Sequence, residues 1–349
     1  MKARIIFRCD GATHIGLGHV MRCIALADGL RKEGFSEITF LSKDYDKKIL
    51  DKIRGNSFNV EIITRRAGLN EDLKKLVRMI QRNNRTIVIT DSYAINTAYL
   101  KELKNAGAFL MCIDDLAQIH FPSDVVLNQN IYASEMNYSV ETYTRLLLGA
   151  NYVLLRGEFL KGYKVRPLRS KKVTSVVITM GGGTINNQTP KVLEALKNLS
   201  KEVNEKLVVC VIVGIGYQDH KQLHSLSSEQ GLQIRMIDDP NNLPQLMAKA
   251  DIAISGGGST CYELAYLGIP TISISLADNQ KRIGEKLDET GVSVYLGYYE
   301  DVSKDDIKKA MKNLIIDSIK RKEMSERGKI LVDGRGVERV VRELKKLID

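Results

Sequence analysis

The chain has 349 residues, of which 44% are hydrophobic and 27% are charged, and its formal net charge is +10. This length fits two domains of about 150 residues each, and the composition excludes a largely disordered chain. The sequence contains no apolar run near the ~18 residues that a membrane crossing needs, and too few apolar residues follow the N-terminus for a signal-peptide core. We therefore expect a cytoplasmic protein without membrane insertion.

The cysteines and the positive charge bound the class of ligand. The five cysteines are dispersed, which favours reduced thiols over a disulfide framework or a zinc site; they are Cys9, Cys23, Cys112, Cys210 and Cys261. The charge would suit an anionic ligand, nucleic acid or a membrane surface. Basic and acidic residues are interleaved, however, and no nucleic-acid motif is present. We expect a small-molecule ligand and no nucleic-acid partner.

Short apolar runs alternate with amphipathic segments over the first 150 residues. The apolar runs predict strands at 5–7, 38–41, 60–63, 86–89, 108–113 and 125–127. Helical spacing predicts helices near 19–33, 45–54, 70–83 and 96–106. Strands that alternate with helices predict crossover units and a parallel sheet, so the fold class is α/β.

The segment 8–22 predicts a strand, a glycine loop and the start of a helix. His19 directly follows Gly18 and falls in the first helical turn, where the positive end of the dipole favours a neutral imidazole. A neutral imidazole can take a proton from water. Arg22 lies on the same helix face and would hold an anion or a carboxylate beside the histidine. The structural alternative is a glycine turn with a solvated histidine and arginine.

Polar residues follow several of the predicted strands. They stand at Asp10, 91–93, 114–115 and 128–130. Each could be an ordinary turn residue. Carboxyl ends of parallel strands share one edge of a sheet, so together these residues predict a pocket suited to a polyhydroxylated or acetamido ligand.

The second half repeats the pattern after a basic stretch that predicts a linker at 161–172. Predicted strands lie at 173–179, 207–213, 232–237, 251–255 and 271–275, with helices near 189–199 and 242–250 and a charged helical segment from about 303. The predicted domains are accordingly 1–160 and 173–349.

The segment 255–270 is the second informative stretch. Its three consecutive glycines let the backbone approach a phosphate, and Ser259 and Thr260 would cap a helix whose free N–H groups form an anion site. Glu263 has two interpretations. It completes a capping box with Thr260, or it accepts hydrogen bonds from ribose hydroxyls.

With these segments, the chain resembles the hydrolases of pseudaminic acid synthesis that remove UDP from UDP-2,4-diacetamido-2,4,6-trideoxy-β-L-altropyranose. The residues that carry the resemblance are Arg8, Asp10, Gly16, Gly18, His19, Arg22, Asp91, Tyr93, Asp114, Asp115, Leu127, Asn128, Asn130, Leu155, Arg156, Glu158, Phe159, 180–182, 255–263, Asn279 and Gln280. One position departs from the family, whose members usually carry Asp shortly after the Gly-Gly of the second-domain loop, where this chain has Gly183 and Thr184.

The resemblance implies a glycosyltransferase-B architecture, with two Rossmann-like domains and parallel sheets facing a cleft. It implies that His19 is the catalytic base. The residues expected on the sugar side are Asp10, Gly18, Arg22, Tyr93, Asp114, Asn128, Asn130, Asn279 and Gln280. The residues expected to bind UDP are Gly181, Gly182, Gly257, Gly258, Ser259, Thr260 and Glu263.

The mechanism that we expect is attack of water at the anomeric carbon with inversion, which requires no metal ion and no cofactor. Backbone N–H groups at the glycine loop would stabilise the leaving diphosphate. Two alternatives stay open: a glycosyltransferase that uses a UDP-amino-sugar donor, and a nucleotide-sugar binding protein without turnover. Residues 1–150 contain no long apolar loop of the kind expected for a lipid-linked acceptor.

Overall fold

The computed structural model describes residues 3–11, 17–43, 47–82, 85–163, 172–181, 186–202, 206–214, 232–238 and 242–348. The chain divides into two compact units. The first unit comprises Met1–Gly157 and Arg335–Asp349, and the second comprises Glu158–Gly334.

The first unit contains a seven-stranded parallel sheet with helices on both faces. The described residues of the unit form nine strands, of which seven form this sheet: β1 (Arg4–Cys9), β2 (Ile38–Lys43), β3 (Asn59–Ile63), β4 (Thr86–Asp91), β5 (Phe109–Ile113), β6 (His120–Phe121), β7 (Val125–Asn128), β8 (Ser139–Val140) and β9 (Arg145–Leu148). Its first helices are α1 (Gly18–Lys32), α2 (Lys47–Gly55), α3 (Leu69–Gln81) and α4 (Thr97–Asn105). The sheet order is β3-β2-β1-β4-β5-β7-β9, while β6 and β8 pair separately.

The second unit has a six-stranded parallel sheet. Its strands are β10 (Ser175–Thr179), β11 (Val208–Val213), β12 (Gln233–Asp238), β13 (Ile252–Gly256), β14 (Thr271–Ser275) and β15 (Ser293–Tyr298), in the order β12-β11-β10-β13-β14-β15. Its described helices are α5 (Thr189–Ser200), α6 (Leu243–Ala248), α7 (Thr260–Leu267), α8 (Asp278–Glu289), α9 (Lys304–Ile316) and α10 (Ser318–Leu331). The predicted α/β class with parallel sheets in two Rossmann-like units is confirmed.

Alternating side chains along each central strand bury both faces of the sheets. In β1, Ile5 and Phe7 join one hydrophobic cluster while Ile6 joins the cluster on the opposite face. In β10, Val176 and Val177 separate in the same way. Burial on both faces explains why these strands are continuous apolar runs rather than alternating ones.

The domain boundaries differ from the prediction of 1–160 and 173–349. The first unit ends at Gly157, and the chain returns to it at Arg335 to form α11 (Gly336–Ile348). Val340, Val341 and Leu344 of α11 enter the core beneath α1. Glycine permits this close approach, because a Cβ at Gly29 of α1 would lie 2.3 Å from Val337. Most of the predicted linker, residues 164–171, lies outside the described residues.

Candidate active site

The first candidate site lies where the strand order of the first sheet reverses. β1 and β4 are adjacent in this sheet, and Cys9 pairs with Asp91 at their carboxyl ends. α1 begins nearby, at Gly18, and puts His19 in its first turn. Ligands of open α/β sheets gather at such switch points, because the connections leave the two strands in opposite directions and open a crevice.

His19 is held by a carboxylate at this edge. Its Nδ1 lies 2.6 Å from Asp91 Oδ1 and 3.2 Å from Nη2 of Arg22. The shorter contact assigns the Nδ1 proton to a bond with Asp91, so Nε2 carries the free lone pair. His19 is 7% exposed, and none of the described residues forms a hydrogen bond with Nε2. A group with this arrangement can accept a proton from a small molecule.

Arg22 joins two carboxylates into one buried cluster. It donates to Asp91 through Nε and Nη2, each over 2.7 Å, and to Asp115 over 2.9 and 3.0 Å. Asp115 also accepts from the Tyr93 hydroxyl and from Nδ2 of Asn130, both at 2.9 Å. The predicted proximity of Arg22 to His19 is confirmed, and the arginine holds protein carboxylates there.

The charges of this cluster favour an imidazolium as it forms. Burial by itself would raise the pKa of Asp91 and of Asp115, but the Arg22 guanidinium holds both pKa values below their usual range. Both carboxylates are therefore ionised, and Asp91 is the one that contacts His19 Nδ1, at 2.6 Å. A proton taken up at Nε2 is therefore stabilised, as in other histidine–carboxylate pairs.

A second hydrogen-bonded chain lies beside this cluster. Asn128 Oδ1 accepts from the backbone N–H of Asn130, and its Nδ2 donates to the Tyr138 hydroxyl, both at 2.9 Å. The Tyr138 hydroxyl donates to Asp114 Oδ2 over 3.0 Å. The structure thus brings Tyr93, Asp114, Asn128 and Asn130 to one edge of the sheet, as the sequence predicted.

Asp10 has other partners. Its Oδ1 accepts from the backbone N–H of Lys43 at 2.9 Å and lies 2.8 Å from Nη1 of Arg8. Arg8 in turn donates from Nε to the buried carboxylate of Asp72. These contacts tie the ends of β1 and β2 together, and none of them reaches His19. Residues 12–16 of the predicted motif, including Gly16, lie outside the described residues.

The second candidate site lies at the matching switch point of the other sheet, where β13 neighbours β10. The backbone N–H of Gly257 donates to Ile274, whereas none of the described groups accepts from the N–H groups of Gly258, Ser259 and Thr260. These three groups stand at the start of α7, where the helix dipole is positive. The loop is therefore suited to an anion such as a phosphate.

The predicted capping interaction at this helix is wrong. Ser259 occupies the N-cap with helical dihedral angles (φ −57°, ψ −22°), and its side chain accepts no capping hydrogen bond. Thr260 is already the first helical residue, so it does not form a capping box with Glu263. Glu263 is buried, with 8% of its surface exposed.

Gln280 lies against the glycine loop, while Asn279 is exposed one residue earlier in α8. Gln280 Oε1 accepts from the backbone N–H of Leu276, and a Cβ on Gly257 would lie 3.4 Å from the Gln280 Cβ. Gly181, which follows β10, adopts φ +80°, a conformation that favours glycine. Gly182, Gly183 and Thr184 lie outside the described residues.

Asp91, Asp115 and Tyr138 belong to the first site. The two aspartates were expected at the polar edge of the sheet and among the residues that carry the resemblance, but without a role of their own, and Tyr138 was not expected there. The signal from the residues themselves was position after a predicted strand. That signal could not separate Asp115, which binds Arg22, from Asp114, which accepts the backbone N–H groups of Leu116 and Ala117.

Metal binding and membrane crossing can be assessed for the described part of the chain. Among those residues, no group of three or more histidine, cysteine, aspartate or glutamate side chains is arranged to hold a metal ion. None of the described helices combines the length and the apolar character that a membrane crossing needs.

The fold is of the glycosyltransferase-B type. MurG of Acinetobacter baumannii aligns with a TM-score of 0.72 over 98% of this chain and 99% of that structure, at 14% identity. Residues 175–335 match the glycosyltransferase family 28 C-terminal domain. This segment contains the sheet and the glycine loop of the second unit.

Two sequence relatives extend across both units. An uncharacterized protein of Methanocaldococcus jannaschii is 29% identical over 321 residues, which are 88% of this chain and 63% of that protein. The second relative is 24% identical over 298 residues, which are 84% of this chain and all of the relative. It is named UDP-2,4-diacetamido-2,4,6-trideoxy-beta-L-altropyranose hydrolase and comes from Campylobacter jejuni.

Proposed function

We propose that the chain is an enzyme that acts on a nucleotide sugar and, more specifically, that it hydrolyses UDP-2,4-diacetamido-2,4,6-trideoxy-β-L-altropyranose. The observation that carries the proposal is the pairing of His19 Nδ1 with Asp91 at 2.6 Å, which leaves Nε2 without a hydrogen-bond partner among the described residues. The 24% identical Campylobacter jejuni relative of that name supports the choice of substrate.

In the proposed reaction, the oxygen of a water molecule attacks the anomeric carbon as its proton passes to His19 Nε2. The bond between that carbon and the diphosphate oxygen breaks, and UDP leaves with the electron pair. The negative charge of Asp91 stabilises the imidazolium. Attack from the face opposite UDP inverts the configuration. General-base assistance of this kind contributes about 10²–10⁴-fold to a rate.

The proposal assigns UDP to the second unit. The N–H groups of Gly258, Ser259 and Thr260 are fixed donors that would bind the diphosphate and stabilise charge on the leaving oxygen. Glu263, which makes no capping box, would accept from the ribose hydroxyls. Tyr93 and Asn130 would contact the sugar, together with Asn279 and Gln280. Asn128, which was expected on the sugar side, is fully buried and would instead position the Tyr138 hydroxyl.

A glycosyltransferase is the second candidate, and the match of residues 175–335 to the family 28 C-terminal domain favours it. The same base could activate an acceptor hydroxyl instead of water. The sequence of residues 1–150, which has no long apolar loop, is less suited to a lipid-linked acceptor.

The test is to incubate the enzyme with the UDP-sugar in the absence of any acceptor and to follow UDP release. The hydrolase proposal predicts sustained release, which falls at least ~100-fold in His19→Ala while the affinity for UDP is unchanged. His120→Ala is the matched control, because His120 contacts Ser139 and Glu141 outside the site. Release that requires an added acceptor would identify a transferase. Binding of the UDP-sugar without turnover would identify a binding protein.

A further inference from the structure

A small pocket opens at the carboxyl ends of β4 and β5. Thr90 and Cys112, which pair across these strands, line it, and Cys112 belongs to the hydrophobic cluster on the face of the sheet opposite α1. Tyr93 lines one side, and its ring also meets the His19 ring edge-on, with the centroids 4.8 Å apart. Tyr93 therefore lies against both the pocket and His19.

The size of the pocket limits what it can hold. Its volume is about 60 Å³. One small non-hydrogen group needs roughly 10–15 Å³ of such space, so the pocket accepts about four to six non-hydrogen atoms. A sugar ring is too large, whereas an acetamido group, with one nitrogen, two carbons and one oxygen, fits.

The lining has the two kinds of contact that an acetamido group needs. Ile95, Leu100, Ile119 and Phe121 provide an apolar wall for a methyl group. Asp114 provides a hydrogen-bond acceptor. Its Oδ2 accepts hydrogen bonds from the backbone N–H groups of Leu116 and Ala117 and from the Tyr138 hydroxyl. No described residue forms a hydrogen bond with its Oδ1, which can therefore accept an amide N–H.

We propose that this pocket binds one N-acetyl group of the sugar, with the amide N–H donating to Asp114 Oδ1 and the methyl group packed against Ile119 and its apolar neighbours. The inference rests on the proposed function, since it specifies the sugar that the first unit accepts. It makes Asp114 and Ile119 specificity residues. A hydroxyl in place of the acetamido group would leave the apolar wall without a contact.

The first experiment varies the acyl chain and the pocket together. UDP-sugars are prepared with acetyl or hexanoyl at each amino position in turn, and kcat/KM for UDP release is measured. Four extra carbons bring the acylamino group to eight non-hydrogen atoms, which exceeds the pocket, so hexanoyl at one position should lower kcat/KM at least ~10-fold. Ile119→Ala should remove most of that loss. An enzyme that accepts both acyl groups equally at both positions would overturn the proposal.

Matched substitutions test the pocket in the opposite sense. Ile119→Phe adds three carbon atoms to the space and should lower kcat/KM for the diacetamido sugar at least ~10-fold. Ile62→Phe makes the same change at a site 40% exposed in β3 and should leave activity unchanged. Thermal unfolding of both variants checks that Ile119→Phe is folded. A folded Ile119→Phe with wild-type kcat/KM would contradict the proposal.

Asp114→Asn tests the hydrogen bond. If the Asn oxygen still accepts hydrogen bonds from the two backbone N–H groups, the NH₂ group of the side chain takes the position of Oδ1, where an acceptor is needed. The wild-type enzyme should prefer an acetamido sugar over its acetoxy analogue, which lacks the N–H. This preference should disappear in Asp114→Asn. A preference that survives in Asp114→Asn would exclude this role.

Failure of the proposed function is distinguishable from failure of the pocket. If the wild-type protein releases no UDP from the diacetamido sugar, the pocket is assayed by calorimetry with UDP-N-acetylglucosamine and UDP-glucose. The pocket proposal then predicts at least ~10-fold tighter binding of the N-acetyl sugar, which Ile119→Phe abolishes. Equal affinities in the wild-type protein would overturn the pocket in that case.

Discussion

Replacing Asp91 with Asn keeps the shape of the side chain and removes the charge that faces His19. Nδ1 lies 2.6 Å from Asp91 Oδ1, so the centres of an imidazolium and this carboxylate would be roughly 4 Å apart. At an effective dielectric constant of about 20, two unit charges at that distance attract by about 4 kcal/mol. Because 1.36 kcal/mol is tenfold in rate, and charge transfer in the transition state is partial, Asp91→Asn should lower kcat ~10²–10³-fold.

The assay is acceptor-free UDP release by the wild-type protein, Asp91→Asn and Asp115→Asn. Asp115 is the matched control, since it binds the same Arg22 and is also buried but forms no hydrogen bond with His19. We expect Asp115→Asn to lower kcat less than ~10-fold. Equal losses in the two variants would refute the reasoning, because the effect would then come from the cluster as a whole and not from the partner of His19.

Three further predictions concern stability and UDP binding. The pKa of Asp91 is lower in the folded protein than the unfolded value of about 3.9, so the stabilisation that its charge provides is present above about pH 4 and is lost as the pH falls through the folded pKa. In urea unfolding, the difference in free energy of unfolding between wild type and Asp91→Asn should therefore shrink from pH 7 to pH 3. A difference that stays constant would contradict this. Gly336→Ala would place a Cβ 2.1 Å from the carbonyl oxygen of Val153 and should lower the free energy of unfolding by about 1–3 kcal/mol. The control is Gly55→Ala, whose Cβ would meet no atom within 4 Å and should not lower this free energy. Equal free energies of unfolding for the two variants would refute the close packing at Gly336. Glu263→Gln should weaken UDP binding ~10-fold in calorimetry and reduce the difference between UDP and its 2′-deoxy analogue, while an unchanged difference would exclude ribose contact.

The sequence predicted the central strands well because their signal is local. A strand that is buried on both faces is a short apolar run, so 86–89 and 271–275 could be located without knowledge of their neighbours. β15 was missed, since Ser293–Tyr298 is mostly half-buried and contains a glycine. The return of α11 to the first unit was also missed. It depends on contacts of Gly29 and Gly336 with residues far away in sequence.

The candidate site was predictable in its location and less so in its partners. The glycine loop before His19 and the polar residues after each strand pointed to the correct sheet edge. Strand order decides which of those residues meet, however, and the sequence does not state that β4 lies beside β1. Only this strand order, which places β4 beside β1, identifies Asp91 as the partner of His19. The capping box at Thr260 failed because the helix begins one residue earlier than the pattern required.

The proposed attack of water at the anomeric carbon is tested most directly by hydrolysis in ¹⁸O-labelled water with mass analysis of both products. The account predicts one ¹⁸O atom at the anomeric carbon of the released sugar and none in UDP. Label in a phosphate group of UDP would place the attack at phosphorus and contradict the role given to His19.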